Sequence, residues 1–595
     1  MTRTPLRPLA RILQSRARGE NPDAIERENI RLRAEADRAR AHARAEGRLL
    51  VLAVAFFLAF SVVGLRMGLE AASDPREPTM ATRGGDAITA NRADIVDRQG
   101  RVLATNLVTH ALYAQPPQMV DPARAARELA AIFPDEDAER LEARFTREGA
   151  RFVWVRRRMS PEQLQAVHDI GEPGLLFGPR EMRLYPNGRM AAHVLGGASF
   201  GREDVRAAEV IGVAGVERIF DTELRDPAAG GAPLRLSLDL SIQAAVTEVL
   251  ERGVAMMSAR GGTAILMEAR TGQIVALVSL PDFDPNDRPS PLVEGDPADS
   301  PLFNRAVQGV YELGSVFKAF PVAQALDRGI LRPDSIVDTA GPLRWGRFRI
   351  TDFRSRGARQ SVSDIFVHSS NIGTARIAQM MGIEAQQEFL GQIGLLEASP
   401  VELTEAPQGR PLTPRNWSEL SMMTISYGHG LSVSPMHLAA AYAPLVNGGT
   451  TVTPSLVQRP RVPAGEQVIS AEASAAFNVM MRETVARGTA TMANVAGYHV
   501  GGKTGTADKP RATGGYYEGK VIATFVGAWP MPDPEYLLVV TLDEPVETSG
   551  TEPRRTAGWT AVPVAGEIIR RTAPMLGMRP DVAGPRADAV SSMRP

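Results

Sequence analysis

The chain has 595 residues, a formal net charge of −1, 44% hydrophobic and 23% charged residues. That is a globular composition with length for about three to five domains, and its charge balance gives no support for nucleic-acid binding. There is no cysteine, which excludes a disulfide framework, a thiolate nucleophile and a thiolate-held metal. Of 67 basic residues only Lys318, Lys503, Lys509 and Lys520 are lysine. Arginine stays protonated in proteins, whereas a buried lysine can act as a base. A lysine kept in such a chain is therefore a candidate for chemistry that arginine cannot do.

Residues 1–48 hold twelve arginines and seven acids, and Glu26 to Arg48 reads as a polar, solvated helix. Leu49 to Leu65 runs 17 residues without a charge. It predicts a short membrane-spanning helix over 49–66 rather than a cleaved signal, since the charged leader is long and no A-x-A site follows. Six arginines lie in the 20 residues before it and three in the 20 after, which places the N-terminus in the cytoplasm and the rest outside. Residues 67–230 mix short strand-like and helical pieces. Asp121-Pro122 and Ser160-Pro161-Glu162-Gln163 each open a helix.

The Pro/Gly/Ala stretch 226–233 marks a boundary. A helix from Leu240 to Val254 and a hairpin over TAILMEARTGQIVALVSL follow it. Helical patterns then run from Ser315 to about Arg328 and from Val362 to Met381, and strands return at 521–529 and 536–542. The expected fold is α/β and multidomain. It comprises one N-terminal transmembrane helix, an α+β region over 67–230, and a module over 231–576 with a central antiparallel sheet flanked by helices. Residues 577–595 read as a disordered tail.

Three short motifs fall in that module. In Ser315-Val-Phe-Lys318, residues three apart share a helix face, so a neutral Lys318 can take the Ser315 proton if burial lowers its pKa. Ser369-Ser370-Asn371 alone reads as a helix cap. Beside a Ser–Lys pair, Ser369 can relay a proton to a leaving amine, and Asn371 can hold Lys318 and a substrate amide. In Lys503-Thr504-Gly505-Thr506, the run from Gly497 to Thr504 also fits a phosphate loop. Gly505, Pro510, Gly514 and Gly515 leave no helix to present its N-terminus to a phosphate. A sheet edge fits better: Gly505 leaves room for a ligand along the strand, and Lys503, Thr504 and Thr506 can bind a carboxylate. His429, in a Gly-flanked turn, has no task in this scheme and reads as structural, and no histidine shows metal-ligand spacing.

Ser-x-x-Lys, Ser-x-Asn and Lys-Thr-Gly in this order and spacing resemble the penicillin-binding transpeptidases. NRADIVDRQGRVLA (91–104), RLYPNGRMAAHVLG (183–196) and GVAGVERIFDTEL (212–224) look like the non-catalytic, dimerisation-type pedestal of the class B members. SSNIG and SYGHGLSVSPMHLA (426–439) resemble the division-specific enzyme. Leu313 and Ala93 depart from the family's usual Pro and Gly, and neither change removes a reacting group.

The resemblance implies a cofactor-free serine acyl transfer. Ser315, activated by Lys318, attacks the penultimate D-Ala carbonyl of a peptidoglycan stem peptide. The backbone N–H groups of Ser315 and Thr506 form the oxyanion hole, Ser369 protonates the leaving D-Ala, and an amine of a second stem attacks the acyl-enzyme. β-Lactams acylate the same serine. The implied partners are a membrane-embedded glycan polymerase of the shape, elongation, division and sporulation type and other division proteins, at the septal inner membrane. The alternatives are the elongation-specific enzyme, a D,D-carboxypeptidase, β-lactamase or β-lactam sensor of the same fold, and a catalytically silent division scaffold.

Overall fold

The computed structural model describes residues 92–203, 208–511 and 514–581 without interruption, and shorter stretches between 9 and 64. The chain divides into two units, Met1–Ala87 and Ile88–Pro595. In the first, Leu9–Ala17 is helical, as are residues 52–58 and 60–64. Among the described residues no helix is long and apolar enough to cross a membrane. The membrane-spanning helix expected over 49–66 is not met among them: residues 49, 51, 59, 65 and 66 of that run lie outside the described part, and the described ones are helical. Most of the expected tail, 582–595, also lies outside it.

The second unit begins with a small α+β region. Strand β1 (Val102–Ala114) pairs antiparallel with β2 (Val153–Met159) and with β3 (Leu175–Leu184). Helices α1 (Pro122–Ile132), α2 (Ala138–Phe145) and α3 (Pro161–Asp169) cover it. Asp121 accepts from the Arg124 N–H at the start of α1, with Pro122 in the first turn, and Ser160 and Gln163 form a reciprocal capping box on α3. Leu112, Leu129, Phe133, Leu141 and Phe145 make a compact core of their own.

Three distant sequence runs meet beneath this sheet. Glu217, fully buried, takes Arg92 on one carboxylate oxygen and Arg183 on the other, each at 2.7 Å. Asp221 holds a second arm of Arg92 at 2.7 Å, and the Tyr185 hydroxyl donates to Glu217 at 3.2 Å. Two guanidiniums share the Glu217 charge, so each buried ion has a partner.

The 226–233 stretch is not a free linker. Asp226 caps a 3-10 turn at Pro227–Ala229, and Leu234–Arg235 then pairs in parallel with Ile95–Val96. Helix α4 (Leu240–Met256) leads into the large sheet. Its strands are β4 (Gly261–Glu268), β5 (Ile274–Leu280), β6 (Gly501–Pro510), β7 (Tyr516–Trp529) and β8 (Tyr536–Asp543), in the order β6–β7–β8–β4–β5, all antiparallel. Every residue of β5 is buried, because helices cover both faces. On one face α4 and α10 (Ala561–Met575) pack Val246, Leu250, Ile568 and Ile569 against it. On the other lies the largest core, with α5 (Ala319–Asp327), α8 (Pro435–Val446) and α9 (Ala471–Arg487). Strand β6 is an outer strand of the sheet and carries Lys503 to Thr506.

Removing one member of a buried ion cluster strands the others. Glu217→Ala is expected to cost about 3–5 kcal/mol, read as a lowered denaturation midpoint. Glu567→Ala, which breaks the surface pair with Arg571 at 2.9 Å, should stay within about 1 kcal/mol.

Candidate active site

The nucleophile candidate sits on a tight turn. Gly314–Lys318 is a 3-10 helix that becomes α-helical only at Ala319, in contrast to the α-helix expected from Ser315. With three residues per turn, positions 315 and 318 eclipse, and Lys318 Nζ lies 2.9 Å from Ser315 Oγ. Gly314 has φ +61°, and a Cβ there would stand 2.5 Å from the Thr506 carbonyl oxygen. The turn can therefore press against β6 only because residue 314 has no side chain. Its N–H donates to the Gly428 carbonyl at 3.2 Å, which ties in the Tyr-Gly-His-Gly loop.

Lys318 is fully buried and has four oxygen neighbours: Ser315 Oγ at 2.9 Å, the Ser369 carbonyl at 2.7 Å, Ser369 Oγ at 3.0 Å and Asn371 Oδ1 at 2.6 Å. The carbonyl and Oδ1 can only accept. A neutral amine satisfies both with its two N–H bonds and turns its lone pair toward the hydroxyls. Burial pushes the Lys318 pKa well below its ordinary value, and the nearby Lys503 charge pushes it the same way, opposed by Asp352. A neutral Lys318 in this position can accept the Ser315 proton.

The second motif interrupts the helix expected over 362–381. Helix α6 (Val362–His368) ends where Ser369 turns left-handed, φ +65°, and α7 (Asn371–Met381) starts anew with Ser370 as its cap, accepting from the Gly373 N–H. That break aims the Ser369 carbonyl and hydroxyl at Lys318. Asp352 holds the loop, taking the Ser370 hydroxyl at 2.7 Å and the Ile372 N–H at 3.0 Å, while Asn371 Nδ2 donates to the Thr351 carbonyl at 2.9 Å.

The third motif lies in β6, not at a helix start, so no phosphate loop forms. Lys503 is also fully buried. It donates to Ser369 Oγ at 3.1 Å and lies 5.6 Å from the centre of the Phe366 ring. Burial lowers its pKa to about 7. Both amines thus converge on one hydroxyl, Ser369 Oγ. Thr504 bonds Thr489 through their hydroxyls at 2.7 Å, and Thr506 Oγ1 accepts from the Ala557 N–H at 2.9 Å. The space expected beside Gly505 for a ligand is filled where a Cβ would go: the Leu313 carbonyl oxygen lies 2.2 Å from that point and the Val316 N–H group 3.1 Å. Gly505 instead lets β6 and the 314–318 turn close on each other.

All eight motif residues, Ser315, Lys318, Ser369, Asn371 and the run 503–506, therefore meet at one place. Ser315, Ser369, Asn371 and Thr506 are half-buried around it. Beneath lies an edge-to-face aromatic chain, Phe317–Phe320–Tyr442–Phe477–Phe366, whose Tyr442 donates to the Val316 carbonyl. That apolar bed desolvates both lysines. His429 packs between the Tyr427 and Tyr516 rings and forms no hydrogen bond with Ser315. A cavity of about 920 Å³ opens around Leu107, Arg156 and Gln163, far along the chain from every motif. Asp352, Thr489 and Tyr442 escaped sequence reasoning, because each is an ordinary residue whose partners are distant in sequence.

The same regions match known proteins. Residues 262–569 match the penicillin-binding protein transpeptidase domain and 87–230 the penicillin-binding protein dimerisation domain. The probable peptidoglycan D,D-transpeptidase FtsI of Caulobacter vibrioides is 34% identical over 91% of each chain. FtsI of Escherichia coli K12, a peptidoglycan D,D-transpeptidase, is 28% identical over 85% of this chain and 88% of that one. The crystal structure of penicillin-binding protein 2X from Streptococcus thermophilus shares the fold, with a TM-score of 0.66, 20% identity, and 82% and 80% of the two chains covered. With its three motifs gathered on one sheet edge and its likeness spanning both regions, the chain belongs to the class B penicillin-binding proteins, among the FtsI-type transpeptidases.

Proposed function

We propose that the chain is a serine-type peptidoglycan D,D-transpeptidase that cross-links stem peptides at the division septum and is acylated by β-lactams. One observation carries the reading: a fully buried amine, Lys318 Nζ, stands 2.9 Å from the Ser315 hydroxyl. Lys318 takes the Ser315 proton as Oγ bonds to the penultimate D-Ala carbonyl carbon. The close approach of Gly314 to Thr506 supports an oxyanion site between the Ser315 and Thr506 N–H groups. Ser369, bonded to both lysines, gives its proton to the departing D-Ala nitrogen and is resupplied by Lys318. A second stem's amine then attacks the ester and returns a proton to Ser315. Lys503, Thr504 and Thr506 bind the donor's terminal carboxylate, and Asn371 orients its amide.

The proposal extends to the chain's organisation: a cytoplasmic tail at 1–48, an inner-membrane anchor at 49–66, a pedestal at 67–230, a periplasmic catalytic domain at 231–576 and a tail at 577–595. The uncharged run from Leu49 to Leu65 supports the anchor, as does the exposure of Phe56, Phe57 and Phe60 on its helical stretches. The partners in this reading are a membrane glycan polymerase and other division proteins, meeting the pedestal and the anchor.

Two outcomes test it. Intact-mass measurement should find a long-lived benzylpenicillin adduct on the wild type and none on Ser315→Ala, whose acylation falls by about three orders of magnitude or more. Rapid loss of the adduct with turnover of the drug would mark a β-lactamase instead. The second-order acylation rate should follow a bell-shaped pH curve. It rises on the acid side as Lys318 sheds its proton. It falls above about pH 7 as Lys503 loses the charge that binds the carboxylate. Lys503→Arg, which does not titrate, should keep the rise and lose the fall. A curve with no acid limb removes Lys318 as the base.

A further inference from the structure

We infer that the arginine-rich hairpin beside the Ser369–Asn371 loop is a docking surface for the carboxylate-bearing peptidoglycan strand that presents stem peptides to Ser315. The inference rests on the transpeptidase reading and adds a subsite to it. Leu343–Trp345 and Phe348–Ile350 pair antiparallel around Gly346, φ +55°. Between 344 and 359 stand six arginines, at positions 344, 347, 349, 354, 356 and 359, all exposed. Across the whole chain 63 of 595 residues are arginine, so sixteen residues with six of them are a concentrated patch. None of the six forms an ion pair with another described residue. The one carboxylate in the stretch, Asp352, is already engaged by Ser370 and Ile372. Elsewhere on the surface arginines pair readily, as Arg260 does with Asp296 and Asp299.

An uncompensated run of like charges repels itself and attracts an opposite polymer. Guanidiniums take carboxylates through paired, parallel hydrogen bonds. Trp345, Phe348 and Phe353 are 38%, 46% and 89% exposed among these arginines, so the patch also offers apolar faces to a sugar or peptide. The hairpin is built into the site. Its inward residues Leu343 and Ile350 pack in one cluster with Ile372, and the Thr351 carbonyl receives Asn371. A strand lying on the outward side would pass directly beside the Ser369–Asn371 loop. A peptidoglycan strand carries free carboxylates on each stem, which matches a linear array of arginines better than a single small anion does.

The test uses the full-length chain and the triple variant Arg344→Gln, Arg347→Gln, Arg349→Gln. None of these residues contacts the motif side chains. Binding to purified uncross-linked peptidoglycan strands is measured against salt, alongside strands whose carboxylates have been amidated and phosphatidylglycerol vesicles. Benzylpenicillin acylation reports the fold and the nucleophile, since it requires Ser315 and Lys318 and no bound strand. The expected result is at least a tenfold loss of strand affinity and a shallower salt dependence in the variant. Amidated strands should show the same loss with the wild type, and the acylation rate should stay within twofold. Unchanged strand affinity in a variant that still acylates overturns this inference alone, as does tight binding to amidated strands or a loss seen only on vesicles. A wild type that penicillin fails to acylate would instead strike the transpeptidase reading.

Discussion

Two lysine amines buried against one serine hydroxyl set the terms for everything around them. An unpaired ammonium in an apolar interior is costly, and a group so placed gives up its proton where it can. Lys318 and Lys503 are both fully buried and both reach Ser369 Oγ, at 3.0 and 3.1 Å. The Lys503 charge adds to burial in pushing the proton off Lys318. The aromatic chain from Phe317 to Phe366 supplies the desolvation. The Ser369 carbonyl and Asn371 Oδ1 supply acceptors that a neutral amine can fill. An arginine at 318 would have kept its charge, its bulk and its five donors, and none of this would follow.

The arrangement requires three backbones to approach closely, and three glycines permit it. Gly314 meets Thr506, Gly428 meets the Gly314 carbonyl, and Gly505 meets the Leu313 carbonyl, each at a distance no Cβ could occupy. The site is therefore a property of an outer strand, a tight turn and a loop pressed together. The sheet behind them is covered by helices on both faces. The same rigidity reaches the pedestal. Arg98 pairs with Glu268 at the end of β4, Arg101 with Asp239 at the head of α4, and the Gly215 N–H donates to Glu405. The Glu217 cluster fixes the pedestal's own segments, and Ile95–Val96 continues that order into the 234–235 strand.

Much of this was legible in the residues because each side chain gathered at the site sits in a short contiguous motif. Lysine was scarce enough for Lys318 and Lys503 to stand out. Capping residues such as Ser160 and Asp121 act within three positions, so local sequence is sufficient for them. The hairpin of β4 and β5 and the late strands showed in their apolar β-rich runs. What sequence could not convey was long-range closure. The pedestal motifs around Arg92, Arg183 and Glu217 were visible singly, but that one carboxylate joins them is a fact of tertiary structure. Asp352 looks like one acid among arginines until Ser370 lies against it. Gly505 read as room for a ligand because a strand glycine has several uses, and only the position of Leu313 decides among them. The 362–381 run read as helical with a cap at Ser369-Ser370-Asn371; Ser370 does cap α7, while the left-handed turn at Ser369 that ends α6 depends on the loop's hydrogen bonds to Asp352 and Lys318.

The distribution of cations completes the logic. Surface positions need only a charge, and arginine fills nearly all of them; exposed arginine holds its proton at every physiological pH and does no acid–base work. Lys509 and Lys520 lie on Glu544 as ordinary ion pairs. The other two lysines lie inside, where the solvation that keeps a cation charged has been removed. The chemistry here separates into two requirements. Pairing with an acid on the exposed surface is served by a cation that never titrates. Moving a proton inside favours one whose charge is held by a margin small enough to reverse. Burial alone converts lysine from the first kind to the second. The fold buries Lys318 fully while leaving Ser315 half open to the surface.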